Sequence, residues 1–150
     1  MFDFHHFVQA QAPVWPQVLA ELRAGRKTSH WMWFVFPQHV ALGRSAMARR
    51  FGLASREEAA AYLAHPLLGP RLVEAAALVL QAAQDRSAHD IFGAPDDLKL
   101  RSCMTLFQAA APAEPVFGQV LARCYGGQAD AATLALLAGG AAAGAAAPRS

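Results

Sequence analysis

Apolar residues recur at helical spacing along most of this chain, and that pattern limits its possible folds more than any other feature. In residues 67–83, one side of a helix would carry Leu68, Leu72, Ala75 and Val79, as expected for an amphipathic helix packed on a core. Capping residues and prolines divide the remaining sequence into further short helices. The predicted helix starts lie at or next to Asp3, Pro16, Ser45, Ser55, Leu67, Ser87, Pro95, Pro115 and Asp130.

The sequence of one segment is compatible with more than one type of secondary structure. Residues 31–37 are seven consecutive apolar residues, a run typical of either a buried strand or a short buried helix. No second strand of comparable quality is present to pair with it, and a lone strand leaves its backbone groups unsatisfied. We therefore predict a central helix, capped by Thr28 or Ser29. The expected fold is a single all-α domain over residues 1–138, followed by a flexible Ala/Gly-rich tail over residues 139–150.

Composition excludes several classes of protein. Charged residues make up 16% of the chain and the net charge is +2, which is too small to indicate a nucleic-acid partner. Residues 131–148 carry no charge, but glycine repeatedly interrupts them, so we predict no membrane span. The first residues do not resemble a signal peptide, and the two cysteines, Cys103 and Cys124, are predicted to be buried thiols of a cytoplasmic protein.

The histidines do not indicate a metal site. The chain has six of them, but no pair has the HExxH-like spacing that brings two imidazoles onto one metal. His5 and His6 are adjacent and would point about 100° apart on a helix. We therefore expect neither a bound metal nor a cofactor.

The segment "GRKTSH", residues 25–30, is the first candidate for a binding site. It superficially resembles a phosphate-binding loop, but the spacing of its glycine and lysine is wrong for that motif. Lys27 and Ser29 would still lie at a helix N-terminus, where free N–H groups and the helix dipole attract anions. His30 could act as an acid or base near neutral pH. The alternative is purely structural: a helix cap beside solvated cations and a core histidine.

The aromatic residues that follow are open to two interpretations. Trp31 and Trp33 most often signify core packing, but two tryptophans this close could also form the wall of a pocket that stacks a planar ring. Gln38 would then offer amide hydrogen bonds at the edge of that pocket. A buried indole N–H also requires a hydrogen-bond partner, which favours a polar neighbour here.

The segment "GAPDDLKLRSCMTLFQ", residues 93–108, is the second candidate. Asp97, Arg101 and Thr105 are spaced four residues apart, so they form a polar row on one face of a helix. An arginine oriented by an aspartate is a common way to hold a phosphate or carboxylate. The same row is equally consistent with the wet side of a helix, where Asp97 and Arg101 would form an exposed ion pair.

Four segments carry a resemblance to a known family. "FVQAQ", "LRAGRKTSHWMWFVFPQ", "AYLAHPLLGPRL" and "IFGAPDDLKLRSCMTLF" resemble the signature blocks of a bacterial family of unknown function, sometimes labelled calpastatin-like. The resemblance implies a small helical protein and no activity. The calpastatin label has no physical support, because that inhibitor is disordered whereas this chain has the composition of a packed domain. A fainter similarity, which cannot be aligned by residue, is to helical proteins that process NAD or ADP-ribose.

Two functional hypotheses follow from these segments. In the first, they meet in space and form a site for an anionic, ring-bearing compound of nucleotide or ADP-ribose type, with hydrolysis as the candidate reaction. In the second, the chain is a non-catalytic interaction module in which the same residues are core and caps. The first hypothesis assigns ligand binding to Lys27, Ser29, Trp31, Trp33, Gln38, Arg101 and Thr105, and proton transfer to His30 and Asp97.

Overall fold

The computed structural model describes residues 2–142, with side chains through residue 139. This part of the chain contains ten α-helices and a 3₁₀ turn, and its only β-pairing is an isolated parallel bridge between His39 and Leu53. The all-α prediction is therefore confirmed. The helices are α1 (His5–Gln11), α2 (Trp15–Ala24), α3 (Met32–Val35), α4 (Ala46–Arg50), α5 (Arg56–Ala64), α6 (Leu68–Ala82), α7 (Ala88–Phe92), α8 (Asp96–Ala110), α9 (Pro115–Tyr125) and α10 (Ala131–Ala142), with the 3₁₀ turn at Val40–Leu42.

Several predicted caps form. The hydroxyls of Ser45, Ser55 and Ser87 accept hydrogen bonds from backbone N–H groups in the first turns of α4, α5 and α7. Gly25 ends α2 in the left-handed conformation, with φ of 72°, which favours glycine because it lacks a Cβ atom. Asp3, by contrast, does not cap α1: its carboxylate accepts from the N–H of His5 at 3.0 Å, and the N-cap residue is Phe4.

Two predicted boundaries are wrong. α3 begins at Met32, and its N-cap residue is Trp31. Neither Thr28 nor Ser29 caps it, since no side chain makes a capping hydrogen bond to this helix. Both N–H groups and the Ser29 hydroxyl are bound to the carboxylate of Glu21 instead. At the other end of the chain, α10 runs to Ala142 rather than stopping at Leu137. The flexible tail predicted for residues 139–150 lies mostly outside the described residues.

Helix α8 is the centre of the packing. It contacts α5, α7, α9 and α10, and all six residues from Ser102 to Phe107 are buried. The predicted stripe of α6 is buried as well, including Leu72 and Val79. Cys103 lies in this core, where burial raises the pKa of its thiol well above the usual value, while Cys124 is half-buried. Both are free cysteines.

A buried glutamine ties α1 to the rest of the core. The side-chain amide of Gln11 donates to the carbonyl oxygen of Phe34 at 2.7 Å and to the hydroxyl of Tyr62 at 3.2 Å. Its oxygen accepts from Arg71 at 3.2 Å. The side-chain nitrogen and oxygen of Gln11 therefore both have hydrogen-bond partners, as is usual for a buried polar side chain.

Within residues 2–142 no single helix has the length and apolar character to span a membrane. Helices α5 and α6 reach that length only when taken together, across a bend of 94°.

The close packing of α6 on α5 gives a first testable prediction. A Cβ atom added at Gly69 would lie 1.9 Å from the carbonyl oxygen of Leu63, and because that oxygen is backbone the helices must separate. Overpacking typically costs about 1–3 kcal/mol. We expect Gly69→Ala to lower the free energy of unfolding by an amount at the upper end of this range. Urea unfolding monitored by circular dichroism would measure it.

Gly118→Ala is the matched control for Gly69→Ala. Gly118 is also a helical glycine, but an added Cβ there meets only the end of the Gln108 side chain, which can move away. We expect this variant to be neutral or stabilised by up to about 1 kcal/mol, the difference in helix propensity. Equal stability of the two variants would contradict the packing described here.

Candidate functional site

The buried carboxylate of Glu21 organises the segment that the sequence singled out. It accepts hydrogen bonds from the backbone N–H groups of Thr28 and Ser29 at 2.8 and 3.0 Å, and from the Ser29 hydroxyl. The indole N–H of Trp31 donates at 2.9 Å and the amide of Gln17 at 2.7 Å. The segment therefore does bind an anion through its backbone N–H groups, and that anion is a side chain of the protein itself.

These hydrogen bonds determine the charge state of Glu21. Burial alone raises the pKa of the carboxyl group, but the donors Ser29, Gln17 and the backbone N–H of Thr28 outweigh burial and hold the pKa far below its usual value. Glu21 is therefore ionised throughout the physiological range. The negative charge sits between α2 and the segment 26–31 and fixes their relative position.

Lys27 joins the two candidate segments. Its ammonium group lies 2.9 Å from the carboxylate of Asp96 at the start of α8, and 5.1 Å from the centre of the Trp31 ring. Its backbone N–H donates to the carbonyl oxygen of Ile91 at 2.7 Å. The two segments thus meet, as the ligand hypothesis requires. The meeting point, however, is an ion pair whose lysine is only 7% exposed, so Lys27 already has an internal anionic partner.

The polar row of α8 is also occupied by internal contacts. The guanidinium of Arg101 donates to the carbonyl oxygens of Gln128 at 2.9 Å and Ala129 at 3.1 Å, in the loop that follows α9. The hydroxyl of Thr105 is buried, donates to the carbonyl of Arg101 and accepts from the N–H of Asp130. Arg101 and Thr105 therefore hold the loop between α9 and α10 in place.

The prediction of an ion pair between Asp97 and Arg101 is wrong. The carboxylate of Asp97 faces α7 instead, with one oxygen 3.3 Å from the imidazole of His89. Its other oxygen accepts from the N–H of Leu98, and its backbone carbonyl accepts from the Tyr125 hydroxyl. Asp97 thus contributes to the junction of α7, α8 and α9, and its predicted role in proton transfer stays a prediction.

Residues 29–31 differ sharply in exposure. His30 is exposed, and the structure describes no hydrogen bond to its ring. Trp31 is only 1% exposed, so a ligand could not stack on its ring without displacing the neighbours that cover it. Ser29 is bound to Glu21. The ligand contacts predicted for these residues stay predictions. A ligand that bound Ser29 or Trp31 would have to break hydrogen bonds or displace neighbours that these residues already contact.

A cleft of about 450 Å³ lies beside these segments, between α8 and the chain from Gln38 to α4. An adjoining cavity of about 10 Å³ is lined by Met32, Trp33, Phe36 and Phe51, and shares Gln38, Ala48 and Lys99 with the cleft. This cavity holds at most one water molecule. The residues lining the cleft are Gln38, Leu42, Arg44, Ser45, Ala48, Pro95, Leu98, Lys99, Ser102, Asp130 and Ala132.

The cleft includes few of the residues proposed from sequence. Gln38 lines it, and Trp33 lies in the adjoining cavity. Lys99 and Ser102 belong to the second candidate segment, but the periodicity of α8 directs them to a different face from Asp97 and Arg101. Arg44 and Asp130 lie in segments that the sequence marked only as helix starts. No group of three or more His, Cys, Asp or Glu residues in the described chain could hold a metal ion.

The Glu21 network gives a second testable prediction. Glu21→Gln keeps the shape of the side chain but removes the charge. Its oxygen can still accept from Thr28, Ser29 and Trp31, but its NH₂ group then faces the donating amide of Gln17. We expect a loss at pH 7 of about 3 kcal/mol, the upper end for hydrogen bonds to a charged group. Because the folded-state pKa of Glu21 is depressed, its stabilisation is complete above the unfolded-state pKa of about 4.3 and is lost as the pH falls.

Urea unfolding of wild type and Glu21→Gln at several pH values would check this. The difference in unfolding free energy should shrink by about 1.4 kcal/mol for each pH unit below about 4.3. Glu74→Gln, at an exposed position of α6, is the matched control and should show little difference at any pH. A Glu21→Gln deficit of the same size at pH 3 and pH 7 would contradict the ionised network.

The chain is similar over most of its length to a protein of known structure. The conserved hypothetical protein Rv1873 from Mycobacterium tuberculosis shares 59% sequence identity and superimposes with a TM-score of 0.89, covering 91% of this chain and 97% of the other. No curated protein matches. Residues 1–137 match the family described as "Protein of unknown function (DUF1810)". This match spans all four segments that carried the resemblance in the sequence, and the chain therefore belongs to the DUF1810 family.

Proposed function

We propose that this protein binds a small anionic compound in the cleft between α8 and the chain from Gln38 to α4. The observation that carries the proposal is that two cationic side chains line one cleft from opposite walls: Arg44, for which no ion pair is described, and Lys99, whose ammonium lies 3.9 Å from the Asp96 carboxylate. Two positive charges on one concave surface attract an anion to it.

The ion pairs around Asp96 leave Lys99 available. Asp96 lies 2.9 Å from the ammonium of Lys27 and 3.9 Å from that of Lys99. Since the closer pair dominates the charge of the carboxylate, Lys99 is only loosely held and can turn towards a ligand. Arg44 is exposed, and no ion pair involving it is described.

Neutral donors accompany the two cations. The hydroxyl of Ser45 accepts from the N–H of Ala48, which leaves its proton free to donate to a ligand. The side-chain amide of Gln38 has no described partner and is half-buried at the cleft wall. Ala132 lies in the first turn of α10, where backbone N–H groups lack acceptors in their own helix.

The acidic residue of the lining is Asp130, and it is engaged as a cap. One oxygen of its carboxylate accepts from the N–H and the hydroxyl of Thr133 at 2.9 and 2.6 Å. These donors offset part of its charge. Within the lining residues the two cations therefore outnumber the one anion, whose charge is already met by internal donors.

The size and walls of the cleft fit a compound with an apolar or ring-shaped body. A volume of about 450 Å³ falls within the range of about 300–1,000 Å³ common for small-molecule sites. Pro95 and Leu98 form an apolar wall on the α8 side, while Leu42 belongs to the opposite side of the cleft. Leu98 is 58% exposed, so covering it would add hydrophobic stabilisation. A ring would lie against this wall, because the cavity next to Trp33 is too small for one.

We propose binding and assign no reaction to the cleft. Its described lining contains no histidine or cysteine, the residue types that most readily exchange protons or act as nucleophiles near neutral pH. The hydrolysis considered from sequence relied on His30 and Asp97, and neither lines the cleft.

A third prediction tests this binding. A panel of phosphate and carboxylate metabolites should contain compounds that raise the melting temperature. At 100 times its Kd a ligand adds about 2.7 kcal/mol, and each kcal/mol shifts a domain of this size by about 2–4 °C. Lys99→Ala and Arg44→Ala should each weaken binding about tenfold or more, because a charge-assisted hydrogen bond contributes about 1.5–3 kcal/mol.

Arg23→Ala is the matched control for these variants. Arg23 is an exposed cation on the last turn of α2 and lines a different groove, so its removal should leave the affinity unchanged. Titration calorimetry with the best compound would compare all four proteins. Equal affinity in wild type, Lys99→Ala and Arg44→Ala, or no stabilising compound in the panel, would refute the proposal and favour the interaction-module hypothesis.

A further inference from the structure

We infer that the ligand of this cleft carries at least two linked anionic groups, as in a diphosphate, with the second group held by Arg49 on α4. The inference rests on the proposed function, since it concerns the same cleft. It goes further by naming the chemical class of the ligand and a residue that would determine specificity.

The first observation is a segregation of charge along the chain. Between Leu22 and Arg56 there is no Asp or Glu, yet this stretch holds seven of the thirteen Lys and Arg residues. In a chain with nearly balanced charge, one region is therefore strongly cationic. Four of the seven basic residues, all exposed, follow one another on and around α4: Arg44, Arg49, Arg50 and Arg56.

None of these four arginines has a compensating carboxylate. The ion pairs of the described chain involve only Lys27, Lys99 and His89 with Asp96 and Asp97. Clustered cations repel one another and lower stability slightly. An anion bound among them would remove this repulsion, and one that bridges two cations would remove more of it than a single charge can.

The second observation is the position of Arg49 relative to the cleft. Ser45 and Ala48 both line the cleft, and Arg49 lies four residues after Ser45, one turn along the same side of α4. Arg44 immediately precedes Ser45 and lines the cleft itself. Arg44, which lines the cleft, and Arg49, which is outside its lining, therefore flank Ser45 and Ala48 along the chain, Arg44 just before α4 and Arg49 within it.

Arg50 provides an internal contrast. It follows Arg49 directly and is equally exposed, but successive residues of a helix point about 100° apart. Its guanidinium lies 5.4 Å from the centre of the Phe51 ring, a cation–π contact. Arg50 has the same charge as Arg49 on the same helix, yet it is directed towards an aromatic ring.

The placement of the two arginines suits a ligand with linked anionic groups. The four helical steps from the N-cap Ser45 to Arg49 rise about 6 Å, and flexible arginine side chains on either side of this span can converge on neighbouring phosphoryl groups of one molecule. Arginine is suited to this role because its planar guanidinium donates two parallel hydrogen bonds to a phosphate. A compound with a single phosphate would engage Arg44 and Lys99 and leave Arg49 without a partner.

The test compares adenosine mono-, di- and triphosphate by titration calorimetry on the full chain, without magnesium so that the phosphates stay free. We expect the diphosphate to bind at least about tenfold more tightly than the monophosphate. Arg49→Ala should reduce this ratio to near one while leaving monophosphate affinity unchanged. Arg50→Ala removes the same charge from the same helix and should preserve the ratio.

The outcomes separate this inference from the proposed function. Monophosphate binding that depends on Lys99, without any gain from a second phosphate, would overturn the inference and leave the proposed function standing. A gain that survives Arg49→Ala, or that Arg50→Ala removes equally, would also overturn it, because the effect would then reflect net charge alone. Absence of binding by all three nucleotides to wild type, with binding of another single-charge anion in the cleft, would do the same.

Discussion

The rest of this site depends on the hydrogen bonds that the ionised carboxylate of Glu21 accepts. This carboxylate gathers the N–H groups of Thr28 and Ser29 and the indole of Trp31 around one buried charge. That arrangement holds segment 26–31 in an irregular conformation and delivers Lys27 to Asp96 at the start of α8. A buried charge is costly unless fully hydrogen-bonded, and here several donors meet it. The contact between Lys27 and Asp96 ties segment 26–31 to the start of α8, which forms one wall of the cleft.

Local signals in the sequence were sufficient to predict where most helices lie, because helix periodicity and capping act over a few residues. The hydroxyls of Ser45, Ser55 and Ser87 cap as predicted, and the stripe through Leu72 and Val79 is buried. The start of α3 was mispredicted for a non-local reason. Thr28 and Ser29 have the chemistry of caps, but a carboxylate in the preceding helix competes for them, and nothing in the segment itself reveals that competitor.

The candidate site was harder to predict, because the same residue types serve binding and internal support. Lys27 and Arg101 were reasonable candidates for anion contacts, and each does contact an acceptor, but the acceptors are Asp96 and the carbonyl oxygens of Gln128 and Ala129. A sequence shows the donor without showing whether the fold already supplies its partner. Gln38, predicted to offer hydrogen bonds at the edge of a pocket walled by tryptophans, lines the cleft, and its contact with a ligand stays a prediction. Arg44 had no motif around it, and only the absence of neighbouring acidic residues marks it.

Helix α8 explains why the cleft is rigid where a ligand would bind. The middle of this helix is enclosed by other helices, with every residue from Ser102 to Phe107 buried, while Pro95, Leu98 and Lys99 at its N-terminal end face the cleft. A helix whose middle is buried resists pivoting at its end, since protein interiors are close-packed. Lys99 thus extends from a helix anchored in the core, and its side chain makes the adjustment. The opposite wall differs, because α4 is a helix of five residues with exposed arginines on its surface. Adjustment to ligands of different length is therefore expected on the α4 side, with α8 as the fixed reference.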